Sequence, residues 1–124
     1  MDSHLNLRLT LEGVQLLQNN LRKILLEAVD EGLSSLGDSP KQAIFFHLEN
    51  TFKIKKEKIP ANLREFEKAL ERIFGPGAPY LEKLIVKRLY EKLGLEFEEI
   101  ESWNFLEYVN NLKECLSIRR GIKK

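Results

Sequence analysis

Chemically reactive side chains are scarce in this chain. Cys115 is its one cysteine, and His4 and His47 are its two histidines. A lone cysteine excludes an intrachain disulfide framework and a cysteine-rich zinc site, and it agrees with a cytoplasmic setting. The two histidines fit neither HExxH nor a zinc-ligand spacing. No apolar run approaches the roughly 20 residues that a membrane-spanning helix needs, and the first residues lack a secretory hydrophobic region. Net charge is only +1, so the chain does not read as a general nucleic-acid glue. Internal repeats and low-complexity tracts are also missing.

What is present is a packed-core composition. The 124 residues are 43% apolar, enough for one ordinary domain and too apolar for a disordered effector. Charge is unevenly placed: residues 39–58 carry net +3, residues 95–112 carry five acids and no base, and the last twelve residues carry net +4. Such alternation orients a partner or forms the ordinary solvated face of a small helical protein.

Helical periodicity dominates. Leu5, Leu7, Leu9 and Leu11 alternate at period two, which suggests either a short extended N-terminal arm or an early helical turn capped at Thr10. From Glu12 to Leu36, Val14, Leu17, Leu21, Ile24, Leu25 and Ala28 make one helical face. The stretch SPKQ predicts a second helix, with Ser39 as cap, Pro40 in the first position and Gln42 closing a capping box. Ile44, Leu48 and Phe52 share a face there, with Phe45 beside them. Phe46 should point about 160° from Leu48, given 3.6 residues per turn. The segment KIKKEKIP reads as a charged connector, with Pro60 holding Ile59 extended. A third helix is expected from Asn62, capped by Asn62 with Glu65, burying Leu63, Phe66, Leu70 and Phe74. GPGAP gives a turn, and a fourth, central helix follows from Ala78 to Leu93, its apolar face including Tyr80. After the acidic connector LEFEEIES, with one helical turn or none, a last helix is expected near Ser102 to Ile118, with Phe105, Val109, Leu112 and Leu116 in its stripe. The predicted fold is all-α: a compact bundle of about five helices. The corresponding division is an arm over 1–12, a single helical domain over 13–118 and a basic tail over 119–124.

Candidate chemistry is thin. The acid nearest His47 in sequence, Glu49, projects from a different part of the helix, so a packing or bordering role is favoured for His47. Lys113 and Arg119 lie near Cys115 in sequence, but nothing in the spacing places a base beside the thiol. Glu96, Glu98, Glu99 and Glu101 lack the spacing of a calcium loop. FGPGAP lacks a phosphate-loop pattern, and its prolines remove backbone donors. No catalytic residue, metal ligand or cofactor site is therefore expected. The candidate contact residues are Phe46, Lys53, Lys55, Lys56, Lys58, Trp103, Arg119 and Arg120. They suggest a non-enzymatic interaction or regulatory module that binds an unidentified protein or a second copy of itself. The alternative is a nucleic-acid-binding regulatory protein using the basic connector and tail, through salt-dependent phosphate contacts.

One passage resembles a known family. Gly37, Ala43–Ile44, His47–Leu48–Glu49, Ile59–Pro60, Phe66, Ala69–Leu70, Ile73–Phe74–Gly75, Gly77–Ala78 and Leu93–Gly94 follow an order similar to the helical variety of the archaeal Nitrosopumilus output domain. The resemblance spans about residues 37–95 and implies an output or adaptor-like module. It assigns no catalytic or binding residue.

Overall fold

A computed structural model describes residues 11–119, with side chains described over 20–114. Five α-helices follow one another: α1 (Leu11–Ser34), α2 (Asp38–Asn50), α3 (Leu63–Phe74), α4 (Ala78–Lys92) and α5 (Phe105–Arg119). Two short 3₁₀ segments, Lys56–Ala61 and Gly75–Gly77, link them, and there is no strand among the described residues. The expected all-α bundle is thus present. Residues 1–10 of the expected arm and Arg120 onward lie outside the described residues, as do the side chains of Cys115 and Arg119. Leu11 and Glu12, assigned to the arm by sequence, already belong to α1.

The core follows from the apolar faces. Leu25, Ala28, Val29 and Leu33 of α1 meet Ile85, Val86 and Leu89 of α4, with Ile44 and Leu48 from α2, Phe66 and Leu70 from α3, and Phe105, Val109 and Leu112 from α5. Each large side chain buried this fully contributes about 1.5–3 kcal/mol of transfer free energy. Helix α4 is central, as its wide apolar face implied, and packs against α1, α3 and α5. Lys92 at its end pairs with Glu27 and Glu31 of α1, at 3.5 and 2.7 Å. Tyr80 does not belong to that face: it sits in the first turn of α4 and is 81% exposed.

Several local expectations shift. Helix α2 begins at Asp38, one residue before the expected cap; Gly37 precedes it at φ 109°, where a side chain would be strained, and no side chain caps it. Pro40 then occupies the third helical position, which still needs no intrahelical donor. Asn62 precedes α3, but its amide donates to the Lys58 carbonyl at 2.9 Å rather than capping the helix. The cleaner capping box stands before α5: the Glu107 amide donates to Asn104 Oδ1 at 2.9 Å, and the Asn104 amide donates to Glu107 Oε1 at 2.8 Å.

The connector KIKKEKIP is a packed element. Ile54 and Ile59 are buried, and Ile59 lies within the 3₁₀ segment instead of an extended stretch. Pro60 sits inside this 3₁₀ segment and has no backbone N–H to donate there. The acidic connector contains no helix; Leu95 and Phe97 pack on the core instead. Phe97 meets Tyr90 edge-on and Tyr108 at a tilt, with ring centroids 5.5 and 5.2 Å apart. Tyr108 also donates its hydroxyl to the Ile100 carbonyl at 3.0 Å and accepts from the Ile100 amide at 2.8 Å.

Candidate functional site

The expected contact residues fall into different surroundings. Leu48 faces the core of α2, and two residues earlier the helical period turns Phe46 outward, where it is 69% exposed. Beside it runs a shallow groove of about 670 Å³ between α2 and α3. Ala43, Ile44, Phe46 and Ile73 supply its apolar lining, and Ser39, Gln42 and His47 its polar edge. No charged side chain lines it. Leaving a phenylalanine in water forgoes about 1.5–3 kcal/mol of burial free energy, which a covering surface recovers.

His47 contributes shape there more than acid–base chemistry. Its Nδ1 lies 3.0 Å from Thr51 Oγ1, and its ring meets Phe52 edge-on at 5.5 Å. Neither neighbour is an acid. His47 is itself exposed, so it borders the core at the groove edge and is not packed within it.

The four connector lysines do not act alike. Lys56 is tied inward: its ammonium lies 2.9 Å from Asp30 of α1 and 4.7 Å from the Phe45 ring centroid. Lys41 pairs with the same carboxylate at 3.1 Å. Hydrogen bonding from Lys56 leads in holding the Asp30 carboxyl below its ordinary range. Lys53, Lys55 and Lys58 are exposed and make no ion pair among the described residues. Lys53 adopts φ 62° where the chain leaves α2, and the next amide, Ile54, donates to the Leu48 carbonyl at 2.9 Å. That turn aims Ile54 into the core and leaves the lysines outside.

Trp103 is half-buried, its ring 5.3 Å from Tyr108 in an edge-on contact. It anchors the acidic connector onto α5 more than it presents a surface. Within that connector, Glu99 pairs with Lys83 of α4. The Arg119 side chain and Arg120 lie outside the described residues, so their convergence with the connector lysines is not described.

A group that sequence reading missed lies along the α3–α4 hairpin. Glu67 and Glu71 stand one turn apart on α3, and Glu82 faces them from α4; a carboxylate oxygen from each lies within 4.8 Å of the others. Glu67 and Glu82 are 8% and 7% exposed, whereas Glu71 reaches solvent. Burial first, then the charges of Glu67 and Glu71, push the Glu82 carboxyl up to about 7. Burial raises Glu67 as well, reinforced by Glu71 and opposed by the Phe105 backbone and Arg64. The trace in sequence was faint: two like charges at i and i+4, which weaken an isolated helix slightly, directly beside buried Phe66 and Leu70.

Comparison with known proteins gives no further assignment: no family model, no curated protein and no solved structure matches the chain.

Proposed function

We propose that the chain is a non-enzymatic protein-interaction module that docks a partner over Phe46 and the adjoining α2–α3 groove. The observation that carries this reading is the outward aromatic beside an uncharged groove, on a helix whose opposite face is already committed to the core. An apolar ridge on another protein, such as two side chains one helical turn apart, complements that surface; a phosphate does not.

Nucleic-acid binding is the weaker reading. Lys56 is engaged with Asp30 and Phe45, which leaves three free cations on the connector. Three phosphate contacts by themselves give little affinity at physiological salt; the rest of this reading lies on the basic tail, outside the described residues.

The test pairs solution mass with capture from native lysate, using the wild-type chain and Phe46→Ser. Aromatic anchors at interface centres are worth about 2 kcal/mol or more, so Phe46→Ser should weaken capture about 30-fold. Because Phe46 is exposed, the variant should keep its fold, with stability within about 0.5 kcal/mol of wild type. A monomer that captures no protein, or a variant that captures as well as wild type, overturns the proposal. A salt-sensitive nucleic-acid shift lost on neutralising Lys53, Lys55 and Lys58 replaces it with the alternative.

A further inference from the structure

We infer that Glu67, Glu71 and Glu82 form a binding site for a hard divalent cation of calcium size. The site is built by the hairpin itself. The Gly75–Gly77 turn brings α4 back along α3, so Glu71, near the end of α3, and Glu82, one turn into α4, meet across it. Glu67 adds a third carboxylate one turn earlier on α3. All three supply oxygen, the donor that calcium, magnesium and manganese prefer over nitrogen or sulfur.

Proximity of acids alone would say little, since exposed acidic groups are common. Here the burial is specific. Glu82 is more than nine-tenths buried, and its Oε2 is enclosed with no hydrogen-bond partner in the protein. None of the three carboxylates pairs with a basic side chain among the described residues. A buried carboxylate oxygen without a partner is costly, and a like-charged neighbour adds to the cost. A single proton bridges two of the three carboxylates; one cation satisfies all three together.

Size discriminates among the ions. Calcium binds oxygen at about 2.3–2.6 Å, so two of its ligands stand at most about 5 Å apart. The three oxygens lie within 4.8 Å of one another, inside the span that a calcium ion bridges. Magnesium, at about 2.1 Å, reaches only about 4.2 Å across and demands stricter octahedral geometry. Exposed Glu71 marks the side open to solvent, where the ion enters and where water completes its coordination. The acids flagged by sequence at Glu96, Glu98, Glu99 and Glu101 take no part in this group.

The experiment is calorimetric titration of the chelator-treated full chain with calcium chloride, and in parallel with magnesium chloride. The expected result is one saturable calcium site with Kd of about 0.1–1 mM, the range of sites with few charged ligands. Glu82→Gln and Glu71→Gln should each weaken it at least about tenfold, and Glu98→Gln should leave it unchanged. Because Glu71 is exposed, its variant decides the question if Glu82→Gln fails to fold. No saturable binding up to about 10 mM, or binding undiminished in Glu71→Gln, overturns the site and leaves the trio as a proton-sharing group. Magnesium binding as tight as calcium overturns the size assignment.

Discussion

Gly32 offers a test of how closely α1 and α4 pack. It lies buried within α1, where glycine costs about 1 kcal/mol of helix stability relative to alanine. On propensity alone, Gly32→Ala should therefore stabilise the protein. The packing predicts the reverse. A Cβ added at Gly32 would lie 2.6 Å from Ile85 Cγ1, with Ile85 Cα and Cβ at 3.6 and 3.7 Å. Carbon atoms in contact sit about 3.5–4.0 Å apart, so roughly 1 Å must be found. Ile85 is fully buried at the centre of the core, and its Cγ1 is held on both sides along the chain. Overpacking of this kind costs about 1–3 kcal/mol, which outweighs the helical gain and leaves a net loss near 1 kcal/mol. Removing Cγ1 should change the sign. Ile85→Ala alone costs about 2–5 kcal/mol. In that background Gly32→Ala meets only ordinary contacts, so its helix gain of up to about 1 kcal/mol should emerge. Urea unfolding of wild type, the two single variants and the double variant measures the coupling, expected at about 1–3 kcal/mol. A stabilising Gly32→Ala in the wild-type background, or the same effect in both backgrounds, would refute the close α1–α4 approach.

Asn104→Ala should destabilise by about 1 kcal/mol, read as an earlier urea midpoint, because it removes one half of the capping box before α5. The pH dependence has a defined sign. Burial raises the folded Glu82 carboxyl from an ordinary 4.5 to about 7, so its contribution is fully present below about 4.5 and is lost as pH rises through 7. The groups facing it are Glu67 and Glu71, and the raised Glu67 acts with the same sign, whereas lowered Asp30 loses stability only on acidification below its ordinary 3.8. In chelator, wild type should lose at most about 3 kcal/mol across that window, and Glu82→Gln should flatten most of the slope.

The bundle was legible because its helices carry long apolar stripes at regular spacing. The turn of Phe46 away from Leu48 followed from the same arithmetic, since two residues is about half a helical circuit; that it meets solvent and not a neighbouring element came only with the packed bundle. Periodicity failed where few residues carry it. Tyr80 looked like part of a broad stripe, but Ala78 and Leu81, on either side of it in the first turn of α4, take the buried face and leave Tyr80 outside. Charge misled at KIKKEKIP, where four lysines hid two isoleucines that a turn at Lys53 delivers to the core. The carboxylate trio was beyond local reading. Glu67 and Glu71 alone resemble a solvated helix face, and only the hairpin's return brings Glu82 opposite them.

The central claim is that Phe46 marks a docking surface, and site-specific photocross-linking addresses it most directly. A benzoylphenylalanine placed at Phe46, with a second probe at exposed Lys87 as control, is irradiated in native lysate. The account predicts one saturable protein adduct from position 46, displaced by excess unlabelled wild type but not by Phe46→Ser. Adducts that form equally at both positions, or that Phe46→Ser displaces as well as wild type does, would contradict it.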